Sequence, residues 1–171
     1  MPFRELNHAK CKTYLAYAEG DHVAALIDPV RDHIDRYIAM LAYFRCRLEM
    51  IIDTHTHADH RSGASELADL TGAPVVMHRR APAPHVAIHV DDGQTLRVGD
   101  LELRVLYTPG HSEGSLCLYV PDEHLLLAAD SKSGDVAVIR TASRLGPALF
   151  TMLPVGGTPV AIVVKAMHPK A

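Results

Sequence analysis

Apolar residues along this chain switch repeatedly between the two-residue period of strands and the wider period of helices. Residues 12 to 17 and 22 to 28 read as strands, separated by turn chemistry at Glu19-Gly20-Asp21 and closed by Asp28-Pro29. Over residues 31 to 44, Ile34, Ile38, Leu41 and Ala42 recur at helical spacing. Asp32 and Asp35, near the start, suit the positive end of a helix dipole. The run from Leu48 to Thr54 predicts another strand. Ser65 to Leu70 predicts a helix capped at Thr71-Gly72, and Pro74 to Met77 a short buried strand. After a turn at Asp91-Asp92-Gly93, Leu101, Leu103 and Val105 alternate with Glu102 and Arg104, the mark of a half-exposed strand. Leu116 to Val120 follows as a strand, and Pro121-Asp122 turns into an apolar run, His124 to Ala129, ending at Asp130. Asp135 to Arg140 reads as a strand and Ala142 to Leu153 as a helix, with Gly146-Pro147 near its first turn. Val160 to Val164 is mostly β-branched and predicts a final strand. Strands with interspersed helices place the chain in the α/β class.

At 171 residues the chain is expected to form one domain, residues 1–171. Apolar content of 48% and charged content of 22% are ordinary for a globular protein, so composition excludes little. The net charge of −3, without a basic run, lacks the electrostatic footprint of a nucleic-acid binder. No stretch approaches the ~18–20 apolar residues of a membrane span. Met1-Pro2-Phe3-Arg4-Glu5-Leu6 lacks the apolar core of a secretory signal. Cys11, Cys46 and Cys117 are odd in number, far apart and in no Cys-x-x-Cys pair, which fits a reducing cytoplasm. Neither a nucleic-acid nor a membrane partner is expected.

The chemistry concentrates in His55-Thr56-His57-Ala58-Asp59-His60. Three imidazoles and a carboxylate within six residues exceed what packing requires. Their repulsion and desolvation call for a cation to offset them. The preceding strand and following Arg61-Ser62-Gly63 turn place them in a loop at a strand's C-terminal end, where α/β sheets present their ligands. Mixed nitrogen and oxygen donors suit zinc, iron or manganese. Further candidate ligands stand at later strand ends. His111 follows the tight Pro109-Gly110 turn, Asp130 ends a buried strand, and His168 lies just past the last strand. His8, His22, His33, His78, His85, His89 and His124 read as surface or packing residues. Arg79-Arg80 reads as a solvated loop, with attraction of a substrate carboxylate as the sharper alternative; Tyr107 reads as core or rim packing.

The His-x-His-x-Asp-His motif, the later Pro-Gly-His and the aspartate after an apolar strand resemble the metallo-β-lactamase superfamily, from about residue 12 to residue 130. The resemblance implies a four-layer αββα sandwich with metal at one edge of two packed sheets, its C-terminal part shortened or divergent. It implies a first metal site of His55, His57, His111 and Asp130, and a second of Asp59, His60, Asp130 and His168. Leu26-Ile27-Asp28-Pro29-Val30-Arg31-Asp32 and His89-Val90-Asp91-Asp92-Gly93-Gln94-Thr95-Leu96 look like the glyoxalase II and persulfide dioxygenase branch. In the dioxygenases the residues matching His55, His111 and Asp130 hold one Fe(II), and the implied reaction oxidises glutathione persulfide to sulfite and glutathione. The chain departs from that pattern at Ala129, where the branch has glycine. It departs again near Arg140-Thr141-Ala142, where only part of a Gly-Arg-Thr-Asp segment remains. Arg140 is the substrate-binding candidate there. The family continues as helix beyond its last histidine, whereas this sequence stops three residues after His168.

Three readings follow. In the first, one Fe(II) oxidises a persulfide, and His57, Asp59 and His60 orient ligands and solvent. In the second, one or two Zn(II) ions, about 3.5–4 Å apart if paired, hydrolyse a thioester, with Asp59 as ligand and catalytic proton acceptor. In the third, the chain is an inactive or truncated metal-binding relative. A small-molecule thiol or thioester is the expected partner, and a homodimer stays open.

Overall fold

The computed structural model describes residues 3–7, 12–18, 20–58, 60–123 and 125–127, together with the backbone of strands at 138–140, 149–152 and 162–165. Asp59, Asp130 and His168, the side chain of Arg140, and Cys11 lie outside the described residues.

A six-stranded sheet runs in chain order: β1 (Phe3–Glu5), β2 (Tyr14–Ala18), β3 (Val23–Ile27), β4 (Arg47–Ile52), β5 (Val75–His78) and β6 (Ile88–Val90). β1, β2 and β3 pair antiparallel, whereas β3 to β6 are parallel. The parallel pairs need crossovers. Helix α1 (Ile34–Phe44), entered through a 3-10 turn at Arg31–His33, joins β3 to β4, and α2 (Ala64–Thr71) joins β4 to β5. Both helices pack on one face of this sheet, with Ile34, Tyr37, Leu41, Ala64 and Leu67 against Leu15, Leu26, Ile51 and Val75. Tyr37 rather than Ile38 completes the buried stripe of α1, and Ile38 is exposed. Gly72 ends α2 at φ +74°, donating its N–H to the Ala68 carbonyl, as expected of a C-cap glycine.

The sheet's other face packs on a second, antiparallel sheet ordered β11-β10-β9-β8-β7. Its strands are β7 (Thr95–Val98), β8 (Leu101–Tyr107), β9 (Leu116–Val120), β10 (Leu125–Leu127) and β11 (Val138–Arg140). Leu101, Leu103 and Val105 meet Ala25, Ile27, Ile52 and Val76 in the core between the sheets. β2 and β3 are therefore buried on both faces, which erases any alternation of polar residues. The expected helix over 142–153 is corrected in part. Leu149–Met152 is a strand, β12, pairing antiparallel with β13 (Ile162–Lys165). Leu-Phe-Thr-Met is as apolar as a helix face, but a strand partner settles its state.

The layering brings the C-terminal ends of parallel strands β3, β4 and β5 to one edge. The hairpin loop between β8 and β9 arrives there from the second sheet, and the Leu116 N–H donates to the Thr54 carbonyl at 2.9 Å.

Candidate metal centre

β4 ends at Ile52, and Asp53, Thr54 and His55 follow, all buried. Beside them β3 ends at Asp28, which sits at φ +51°, a left-handed conformation that aspartate tolerates better than most residues. The Asp28 carboxylate is fully engaged. Oδ1 accepts the Thr54 N–H at 2.7 Å, and Oδ2 accepts the Thr54 hydroxyl at 2.7 Å. His57 Nε2 stands 3.3 Å from Oδ1.

These bonds assign the imidazole protons. The Thr54 hydroxyl has given its hydrogen to Asp28, so at 2.9 Å it accepts from His55 Nδ1–H. The His55 lone pair is then on Nε2. His57 Nε2 faces the Asp28 carboxylate at 3.3 Å, a contact that favours the proton on Nε2 and the lone pair on Nδ1. His55 is thus held in a tautomer that a metal ligand can use, and the charge of Asp28 favours the matching one in His57.

The remaining imidazoles lie next to this pair. His57 and His55 have ring centroids 4.1 Å apart, His57 and His60 4.3 Å, and His55 and His111 4.9 Å in an edge-to-face arrangement. Of the residues expected at the site, His55, His57, His60 and His111 come together; Asp59, Asp130 and His168 fall outside the described residues. Asp28, His55 and His57 each offer a ligand atom within 4.8 Å of the others. Because the Thr54 N–H and hydroxyl already occupy both Asp28 oxygens, we read Asp28 as the carboxylate behind His57.

Asp28 was visible in the sequence as the end of a strand and within the branch-like Leu26–Asp32 stretch, but not as a partner of the histidines. Asp53 and Ser62 gave no sign of a role. Asp53 Oδ2 accepts the Ser62 hydroxyl at 2.7 Å, and Ser62 Oγ accepts the Ala64 N–H at 3.0 Å. A backbone bridge between Val30 and Ser62 closes the loop that carries the histidines. Burial first, then the negative charge of Asp28, pushes the Asp53 carboxyl up to about 7, against the opposing pull of His57 and Ser62. Burial also acts to raise Asp28, but the hydrogen bond and charge of His57, the charge of His55 and the Thr54 N–H together outweigh it, and its pKa is lowered.

The donor set fits a divalent transition metal. Clustered imidazoles with oriented lone pairs, backed by two buried carboxylates, form a site that a cation would complete. A cleft of about 450 Å³ reaches this edge, lined by Val30, Arg31, Asp32, His60 and Arg61. Arg79 is committed to Asp91, at 2.8 Å. Arg80 lies 3.7 Å from Glu113, beside the loop that carries His111.

Comparison with known proteins agrees with this geometry. Residues 10–135 match the family model of the metallo-beta-lactamase superfamily. A hydroxyacylglutathione hydrolase of Maricaulis maris is 36% identical over 86 residues, 49% of this chain and 34% of that protein. The mitochondrial persulfide dioxygenase ETHE1 of Homo sapiens is 29% identical over 132 residues, 77% of this chain and 50% of that protein. The chain thus spans half or less of the length of these relatives. The crystal structure of ETHE1 from Myxococcus xanthus superposes with a TM-score of 0.67 at 37% identity, covering 71% of this chain and 55% of that one. With its family model matched over most of its length and its fold shared with that structure, the chain belongs to the metallo-beta-lactamase superfamily.

Proposed function

We propose that this chain, acting as one domain, is a metal-dependent enzyme that converts a glutathione-type thiol derivative. The preferred reaction is persulfide dioxygenation with one Fe(II) held by His55, His111 and Asp130. The observation that carries this reading is the edge-to-face approach of His55 and His111, 4.9 Å apart although they come from different sheets. The likeness to the Myxococcus xanthus ETHE1 structure supports it.

When bound, iron supplies redox chemistry at a substrate sulfur, whereas zinc supplies a water of lowered pKa. The chain's own residues do the rest. Thr54 and Asp28 hold the imidazole protons of His55 and His57 away from the ligand side. Asp59 and His60 orient solvent beside them, and Arg140 holds the substrate.

A second reading, zinc-dependent thioester hydrolysis, is favoured by the contact of His57 with His60 and by the 36% identity to a hydroxyacylglutathione hydrolase. It requires a second ion held by Asp59, His60, Asp130 and His168, with Asp59 as proton acceptor. The third reading, an inactive relative, draws on the departures from the branch pattern at Ala129 and at Arg140-Thr141-Ala142. No helix among the described residues is long and apolar enough to cross a membrane.

Elemental analysis of the purified protein, with assays on glutathione persulfide and on a glutathione thioester, tests the assignment. One iron per chain with oxygen consumption on the persulfide is expected. Two zincs with thioester cleavage would replace the first reading by the second. Absence of both activities in folded, metal-loaded protein would leave the third.

A further inference from the structure

His111 is carried on an exposed loop. Pro109, Gly110, His111 and Glu113 all face solvent. Such a tip moves freely unless the fold ties it down. Bonds within the loop set its own shape. The Thr108 N–H donates to the Ser115 carbonyl, and the Ser112 N–H donates to the Ser115 hydroxyl. None of these sets the distance of His111 from His55, because His55 belongs to the other sheet.

Besides the Leu116 N–H bond to the Thr54 carbonyl, a side-chain tie between the sheets at this edge runs through Tyr107, the last residue of β8. Its ring stacks on His78, the last residue of β5, with centroids 4.1 Å apart and planes 9° from parallel. Its hydroxyl donates to the Glu113 carbonyl at 3.0 Å, joining the start of the loop to its far limb. Its own N–H donates to Asp92 Oδ1 at 2.8 Å. His78 is itself fixed. It is buried, and its Nδ1 accepts the Arg80 N–H at 3.2 Å. The Arg80 guanidinium covers the Tyr107 ring at 5.7 Å. One aromatic side chain therefore spans from the first sheet to the loop that carries His111.

We propose that Tyr107 is a positioning residue for His111, with the His78 stack and the hydroxyl bond to Glu113 together holding the His111 loop at ligating distance from His55. This rests on the reading that His111 is a metal ligand. Neither Tyr107 nor His78 is placed on the ion. Their effect is to keep one of its ligands from drifting with the loop.

The test uses the full chain, stripped and reloaded with zinc or cobalt(II). Zinc affinity is read by competition with a chromophoric chelator, and coordination by the visible spectrum of the cobalt form. His111→Ala is the reference and should lose affinity and change the spectrum. Tyr107→Ala should weaken zinc binding about 10-fold or more, in the range seen for residues that orient ligands, and should broaden or shift the cobalt bands. Tyr107→Phe keeps the stack and loses only the hydroxyl, so it should fall between. His78→Ala removes the stack from the opposite side and should reproduce the loss if Tyr107→Ala does not fold. Normal affinity and spectrum in Tyr107→Ala or His78→Ala, beside a defective His111→Ala, would overturn the positioning role alone. A fully normal His111→Ala would overturn the ligand assignment, and this inference with it.

Discussion

Asp28 and His57, from the ends of neighbouring parallel strands, meet at 3.3 Å between Oδ1 and Nε2. The His57 ring lies beside those of His55 and His60, with centroids 4.1 and 4.3 Å away. Asp28→Asn keeps the left-handed backbone, since asparagine accepts that conformation, but removes the negative charge. Metal affinity should fall by about 10–100-fold. Chelator competition measures it, and an unchanged constant would show that His57 needs no carboxylate behind it.

The Asp53–Ser62 bond predicts a stability effect distinct from any effect on metal. Ser62→Ala removes the hydroxyl given to Asp53 and the acceptor used by the Ala64 N–H. A buried carboxylate then loses the donor to Oδ2, at a cost of about 1–3 kcal/mol. Urea unfolding of the metal-free protein should show it. Asp53→Asn combined with Ser62→Ala should recover part of the loss, because the amide is cheaper to bury than the ion.

Tyr37 predicts a larger cost from a single oxygen. Its hydroxyl accepts from the Asn7 side-chain N–H at 3.0 Å and from the Val30 N–H at 3.1 Å. It also pairs with Thr13 Oγ1 at 2.9 Å, and the Thr13 hydroxyl donates to the Asp28 carbonyl. Tyr37→Phe takes the acceptor from the buried Val30 N–H, removes one of the acceptors of the Asn7 amide and frees the chain that pins Asp28. We expect about 2–4 kcal/mol of destabilisation by thermal or denaturant unfolding. A loss under about 0.5 kcal/mol, the scale of ordinary surface changes, would mean that the network is dispensable.

How much of this was legible beforehand depended on whether a feature is local. Leu101, Leu103 and Val105 alternate because one face of β8 meets the other sheet and the opposite face is more open, so the strand could be read. β1, β6 and β7 could not be read, being short edge or near-edge segments with exposed polar positions. Leu149–Met152 was misread as helix because the same apolar residues serve either state, and pairing with Ile162–Lys165 is a distant fact. The site divides in the same way. Four clustered ionisable residues declare themselves in six positions of sequence. Asp28, Asp53 and Ser62 act only because two strand ends and a helix start converge, which no local pattern encodes.

Gly114 predicts a steric effect on the same loop as His111. A Cβ there would lie 2.7 Å from the Ala81 Cα and 2.8 Å from its backbone nitrogen, so backbone must move. Gly114→Ala should cost about 1–3 kcal/mol, as overpacking does, and should weaken metal binding by displacing the loop. Ala81→Gly can relieve only the side-chain part of the clash. Full rescue by that second change would show that the backbone contact is not the obstacle.

Metal removal should lower stability, because the site crowds imidazoles and two buried carboxylates with a cation as their common counter-charge. An ion that binds only the folded chain adds RT ln(1 + [L]/Kd), about 2.7 kcal/mol at a hundredfold excess over Kd. For a chain of this size that corresponds to a melting shift of about 5–11 °C. A strong chelator should therefore lower the midpoint of the wild-type chain by this order. In His55→Ala, which removes a proposed ligand, the chelator should do little. A wild-type midpoint indifferent to the chelator, with metal loss verified by elemental analysis, would mean that the histidine cluster does not depend on an ion for its stability.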